Sequence, residues 1–82
     1  MNINYEELIK NLVKPLVVNP DDVWVKTLAN EDDLLTLQLL VNKEDLGRVI
    51  GKNGKIANAI RTIVYAGATK EGKKVKIDID AF

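Results

Sequence analysis

Apolar residues recur along this chain at two spacings, and each change of spacing marks a boundary between elements. Tyr5, Leu8, Ile9, Leu12, Val13 and Leu16 fall on one face of a helix. Asn4, with Glu7 three residues on, supplies a capping-box variant ahead of them. The spacing predicts an amphipathic helix from residue 4 to about 17. Pro15 removes one backbone donor late in that pattern, which predicts either a kinked last turn or an early end. Asn19-Pro20-Asp21-Asp22 is turn chemistry. Val23 to Leu28 and Leu35 to Leu39 alternate and favour extended backbone, predicting two strands with Asn30-Glu31-Asp32-Asp33 as a hairpin turn.

Asn42 can cap a short helix over roughly 43–50, in which Leu46, Val49 and Ile50 share a face. From Gly54 onward Ile56, Ala59, Ile60, Ile63 and Val64 predict a third helix to about Ala66, where Gly67 can stop it. Gly67 to Gly72 then reads as a polar loop. Val75, Ile77 and Ile79 alternate with Lys76, Asp78 and Asp80, the pattern of a strand with one buried and one wet face.

The order is α-β-β-α-α-β. About 30 residues holding two helices separate the last two strands, room for a crossover that makes them parallel, whereas the short loop before strand two makes the first pair antiparallel. The expected fold is α+β, a three-stranded mixed sheet covered on one face by three helices. With 82 residues the chain is expected to form one unit, 1–82, around a single small core.

Charge changes the picture more than composition does. The 12 basic and 12 acidic side chains cancel overall, yet residues 1–45 hold four Lys against nine acids. Residues 46–70 carry Arg48, Lys52, Lys55, Arg61 and Lys70 with no acid at all. Such a local field can attract a polyanion even on a neutral molecule, since physiological salt confines each charge to a reach of about 8 Å. Five cations on helix and loop surface also read as ordinary solvation.

The chain has no Cys and no His, so thiol nucleophiles, imidazole bases, disulfides and the usual zinc ligands are excluded. No enzyme, cofactor or metal site is expected. Asp78 and Asp80 share a strand face and could approach a divalent ion, but without further ligands they read as solvated residues. No apolar run is long enough for a bilayer span, and the first residues are acidic where a signal peptide is basic, which points to the cytoplasm and away from a membrane.

Gly51-Lys52-Asn53-Gly54 joins the two middle helices. Gly51 can end one helix in a left-handed turn and Gly54 can relieve crowding at the next. The same glycines leave backbone N–H groups unshielded beside a helix N-terminus, where a phosphate is favoured. Lys52 lies within the tetrad, and Arg48 and Lys55 flank it.

The run from Asp45 through Val49-Ile50-Gly51-Lys52-Asn53-Gly54-Lys55-Ile56 to Ile60-Arg61-Thr62 resembles the core of a KH domain, and the element order resembles the type II, bacterial arrangement. Over essentially the whole chain it is similar to the KhpA group, small bacterial proteins consisting of one KH domain. Ala57 departs from the commonest KH pattern, in which isoleucine stands three residues after the second glycine; here Ile56 comes one place earlier.

That resemblance implies single-stranded RNA held in a groove beside the GXXG loop, with a role as RNA chaperone or post-transcriptional regulator. The residues it implicates are Arg48, Val49, Ile50, Gly51, Lys52, Asn53, Gly54, Lys55, Ile56 and Arg61. Arg48, Lys52, Lys55 and Arg61 are assigned to phosphates, and the backbone of strand two, Leu39 to Val41, to base edges. Leu46, Ile60 and Ile63 read more readily as core. Trp24 is placed on the open sheet face and Tyr65 at a rim.

The other reading is an assembly module, a homodimer or a heterodimer with a larger Jag-type protein that carries its own KH domain. The third-helix surface around Ile63 and the sheet face around Trp24 and Leu40 are its candidate surfaces.

Overall fold

The computed structural model describes residues 3–82. Its helices are α1 (Tyr5–Val13), α2 (Leu46–Ile50) and α3 (Lys55–Lys70), and its strands β1 (Trp24–Glu31), β2 (Leu34–Val41) and β3 (Lys74–Ala81). The strands form one sheet in the order β1-β2-β3, antiparallel between β1 and β2 and parallel between β2 and β3. This is the expected mixed sheet, and the buried cluster of Ile9, Val13, Leu37, Leu39, Val41, Val49, Ile60 and Val64 lies between it and the helices.

Alternation sets the two faces of the sheet. Leu35, Leu37, Leu39 and Val41 of β2 and Val75 and Ile77 of β3 point into the core. Trp24, Leu28 and Leu34 remain exposed on the strands, and the Trp24 ring lies 6.4 Å from that of Phe82. The hairpin turn is tighter than the sequence suggests. Asn30 and Glu31 still pair with β2, and only Asp32 and Asp33, both with positive φ, make the turn.

Two helix ends differ from the bounds that the spacing predicts. α1 stops at Val13, and a single 3-10 turn over Lys14–Leu16 carries Pro15, so the proline ends the α-helix early. At the other end of α1 the Asn4 side chain accepts the Glu7 amide at 3.1 Å, the cap the sequence signals. Gly67 does not stop α3. A β-carbon there would stand 2.9 Å from Ile3 Cδ1, so this glycine makes room for the segment leading into α1.

α3 ends instead at Gly72, whose φ of 69° is left-handed. The Lys73 amide donates to Ala68 O and the Gly72 amide to Thr69 O, the paired bonds of a Schellman cap. Glu71 beside it accepts from the Tyr5 hydroxyl and, at 3.2 Å, from the Ile3 amide. Burial first, and then this carboxylate, push the Tyr5 hydroxyl up to about 12. The Tyr5 bond in turn draws the Glu71 carboxyl below its ordinary range. Among the described residues no helix is long and apolar enough to cross a membrane.

Candidate nucleic-acid interface

The segment between α2 and α3 is built on three left-handed or glycine-specific conformations. Gly51 has φ 75° and ψ 173°, Asn53 φ 58° and ψ 26°, and Gly54 φ 74° and ψ 13°. The two glycines serve different ends. A β-carbon on Gly51 would meet Ile56 Cγ1 at 2.6 Å, so the side chain one place earlier than the usual isoleucine packs under the turn. A β-carbon on Gly54 would find only Asn58 Nδ2, at 3.9 Å. Gly51 is thus required by the fold itself, whereas Gly54 is required only by its backbone angle.

The glycines do not leave their own amides free. The Gly51 amide donates to Gly47 O at 2.9 Å, the Gly54 amide to Gly51 O at 3.1 Å, and the Lys55 amide to Lys52 O. Among the described residues the loop amides without an acceptor in the chain are those of Lys52 and Asn53. Both residues are exposed, as are Arg48 and Lys55. The loop also leads directly into the N-terminus of α3, a helix of 16 residues whose first-turn amides and dipole favour an anion.

Position is imposed on α2 by a residue that the sequence gives no reason to single out. Asp45 is completely buried. It accepts the Val18 and Asn19 amides and the Asn19 side-chain amide, each at 3.0 Å, and so ties the chain after α1 to the start of α2. Burial by itself works against its charge. The hydrogen bonds from Val18 and Asn19, with the Arg48 guanidinium 3.9 Å away, outweigh that and hold the carboxyl below the usual carboxylate range. Asn42 contributes the expected cap by accepting the Glu44 amide at 2.9 Å.

The structure brings Arg48, Ile50, Gly51, Lys52, Asn53, Gly54, Lys55 and Ile56 to one end of the helical layer. Val49 has no exposed surface, because it turns into the core; of the Val49 and Ile50 pair, Ile50 keeps the exposed share. Arg61 does not sit at the loop. Its Nη2 donates to Ile77 O at 3.2 Å and so lies across the edge of β3.

That edge also corrects the assignment of base reading to strand two. β2 is the central strand, bonded to β1 on one side and β3 on the other, and Leu39 and Val41 are fully buried, so its backbone has nothing left to offer. The Lys74 amide donates to Asp33 O and the Phe82 amide to Val41 O. In a parallel ladder this turns the even-numbered peptides of β3 toward β2 and leaves those of Val75, Ile77, Ile79 and Ala81 on the open edge beside α3.

A family model described as the KhpA/KhpB KH domain matches residues 6–79, nearly the whole of this arrangement. The chain belongs to the KhpA/KhpB family. Relatives named RNA-binding protein KhpA include that of Listeria monocytogenes, 57% identical over 90% of this chain and 96% of its own length. The Clostridium perfringens protein is 49% identical over 90% of this chain and 97% of its own. The Bacillus subtilis protein is 46% identical over 90% of each.

The fold of this KhpA/KhpB member is the α+β type II KH arrangement. It superposes with a TM-score of 0.71 and 18% identity on Aquifex aeolicus Era bound to GDP and aluminium fluoride, over 95% of this chain and 30% of that one. Era in complex with a GTP analogue and nucleotides of 16S ribosomal RNA gives 0.65 and 18%, over 94% and 29%. The chain spans about a third of either Era structure, and at this identity the likeness is one of fold.

Proposed function

We propose that this chain binds single-stranded RNA, with the phosphate backbone against the Gly51–Gly54 loop and the bases between the two helices and the open edge of β3. The observation that carries this reading is the pair of unsatisfied amides, Lys52 and Asn53, in an exposed loop flanked by Lys55 and by Arg48, which also reaches Asp45 at 3.9 Å. The relatives' name, RNA-binding protein KhpA, supports the same ligand. No aromatic platform is required at the loop, because strand-edge peptides and the half-buried Ile50 and Ile56 can hold bases without one. The cellular role that fits is an RNA chaperone or post-transcriptional regulator acting in the cytoplasm as a single KH domain.

Titration with an oligoribonucleotide tests this directly. The amide NMR signals of Lys52 and Asn53 should shift on binding. Three neutralised phosphates give a log-log salt slope of roughly −2. Unmoved loop amides, or an affinity indifferent to salt, would refute the assignment.

One observation favours assembly as a second property. Ile63 is half exposed, contrary to its reading as core, because it lies one residue before the buried Val64 and turns away from the sheet. Ala59, Thr62, Ile63 and Ala66 together form an exposed, weakly polar stripe along α3. This stripe can seat a second copy, or the KH domain of a larger Jag-type relative. Wild-type protein is then expected to elute at twice its chain mass and Ile63→Asp at the monomer mass. Equal monomeric elution of both would remove the homodimer.

A further inference from the structure

The two edges of the sheet are finished differently. On β1 the Glu6 carboxylate of α1 takes the outward Thr27 amide at 3.1 Å and the Thr27 hydroxyl at 2.6 Å, which closes that edge to a further strand. On β3 the outward peptides of Val75, Ile77 and Ile79 meet one side chain among the described residues, the Arg61 guanidinium on Ile77 O. Along its open face β3 carries Lys74, Lys76, Asp78 and Asp80, two cations followed by two anions. All four are exposed, and none forms an ion pair among the described residues.

That order is its own complement when the strand is turned end for end. Set antiparallel to a second β3 about Ile77, Lys74 stands opposite Asp80 and Lys76 opposite Asp78, twice over by symmetry. The same register places the outward peptide of Val75 opposite that of Ile79, and Ile77 opposite Ile77, so that these residues exchange N–H···O bonds. The charged pairs then fall at the non-hydrogen-bonded positions, where side chains lie closest. On the covered face, half-buried Ile79 of one copy comes against Val75 of the other. A cavity of about 370 Å³ lies there, where the end of α3 meets the start of β3, lined by Tyr65, Lys73, Lys74, Val75 and Lys76, and it gives that isoleucine room. A shift of one residue would set outward peptides against inward ones, and a shift of two would set Lys76 or Asp78 against itself.

We infer that β3 is a self-pairing edge, to which a second copy of this chain adds antiparallel about Ile77, joining two sheets into one of six strands. Arg61 leaves Ile77 O as the incoming peptide takes its place. This surface is separate from the Ile63 stripe. It covers the peptides assigned above to bases, so RNA and the second copy exclude each other there.

The test uses Ile63→Asp protein, which lacks the stripe contact, at the millimolar concentrations of NMR, where sedimentation should show it pairing. Lys74→Asp/Lys76→Asp should weaken that association about tenfold or more, because every cross-strand ion pair becomes a like-charged pair. Adding Asp78→Lys/Asp80→Lys restores the pairing and the parent's net charge, yet the fourfold variant does not pair with its parent. The chain has no cysteine, so Lys76→Cys and Asp78→Cys chains mixed under mild oxidation should form a disulfide between unlike chains, their α-carbons being about 4.5 Å apart in this register. An oligoribonucleotide that shifts the loop amides should lower that yield. Association indifferent to Lys74→Asp/Lys76→Asp, no recovery in the fourfold variant, or no disulfide in the mixture overturns the pairing. Loop amides unmoved by RNA, with the disulfide still formed, would end the RNA reading and leave the pairing in place.

Discussion

Replacing Lys52 and Asn53 together by Asp is expected to reduce RNA affinity about a hundredfold or more, with the circular dichroism spectrum and melting temperature nearly unchanged. Both side chains are exposed and make no hydrogen bond or ion pair among the described residues, so the fold loses little. Asn53 has a left-handed backbone, with φ 58°, and Asp tolerates that region nearly as well as Asn, so the loop keeps its shape. What changes is the field at the two unsatisfied amides. One cation becomes an anion and a second anion is added, within contact distance of where the phosphate would lie. Near a protein surface each such pair is worth up to a few kcal/mol, which is enough to cancel the micromolar-range binding that a few phosphate contacts supply. RNA retained at wild-type affinity would place the ligand elsewhere on the molecule.

Gly51→Ala should give the largest loss of stability of any single change in the loop. Its backbone, at φ 75° and ψ 173°, occupies a region open essentially only to glycine. Its new methyl group would stand 2.6 Å from Ile56 Cγ1, and Ile56 is packed against the core and cannot swing clear. Strain and overlap together cost about 3 kcal/mol, a fall in Tm of roughly 15 °C for a chain of this size. Gly54→Asn is the control. Asn adopts the φ of 74° there, and a β-carbon meets nothing closer than 3.9 Å, so the expected cost is under about 1 kcal/mol. Equal small losses in thermal unfolding of the two variants would show that Gly51 is not held by Ile56.

This contrast changes what the glycine pair means. Two glycines three apart suggest a loop kept bare so that a phosphate can approach. At Gly54 the structure is compatible with that. At Gly51 the close neighbour belongs to the protein, and the amide is already given to Gly47 O. The groups left for a ligand are the two amides between the glycines, at Lys52 and Asn53, which in the sequence are marked only by their place between them.

Other features were legible because their causes are local. Asn4 and Asn42 cap the helices that follow them, since a short polar side chain two or three residues ahead of a free amide is a matter of a few bonds. The alternation of β2 and β3 gave the buried face of each strand, and the 32 residues between Val41 and Lys74 were long enough to force a parallel crossover. The acid-free stretch from 46 to 70 marked the helices that flank the loop.

Features that depend on residues distant in the chain could not be read in this way. Asp45 looks like a first-turn helix acid, yet its carboxylate holds amides 26 and 27 residues earlier. Gly67 looks like a helix stop but instead clears space for Ile3. Ile63 matches the helical spacing of the core and still faces outward, because the sheet covers only part of the circumference of α3.

By itself, then, the sequence determined the order of the elements, their buried faces, the caps and the position of a cationic glycine turn, since each follows from the conformational preferences of a few neighbouring residues. The tertiary structure alone decided which strand edge stays unpaired and which glycine the fold requires. It also put Arg61 against that edge and collected Tyr65 with three lysines around one cavity. Those outcomes depend on which distant surfaces meet when the sheet and helices close on a common core, and spacing along the chain carries no record of that.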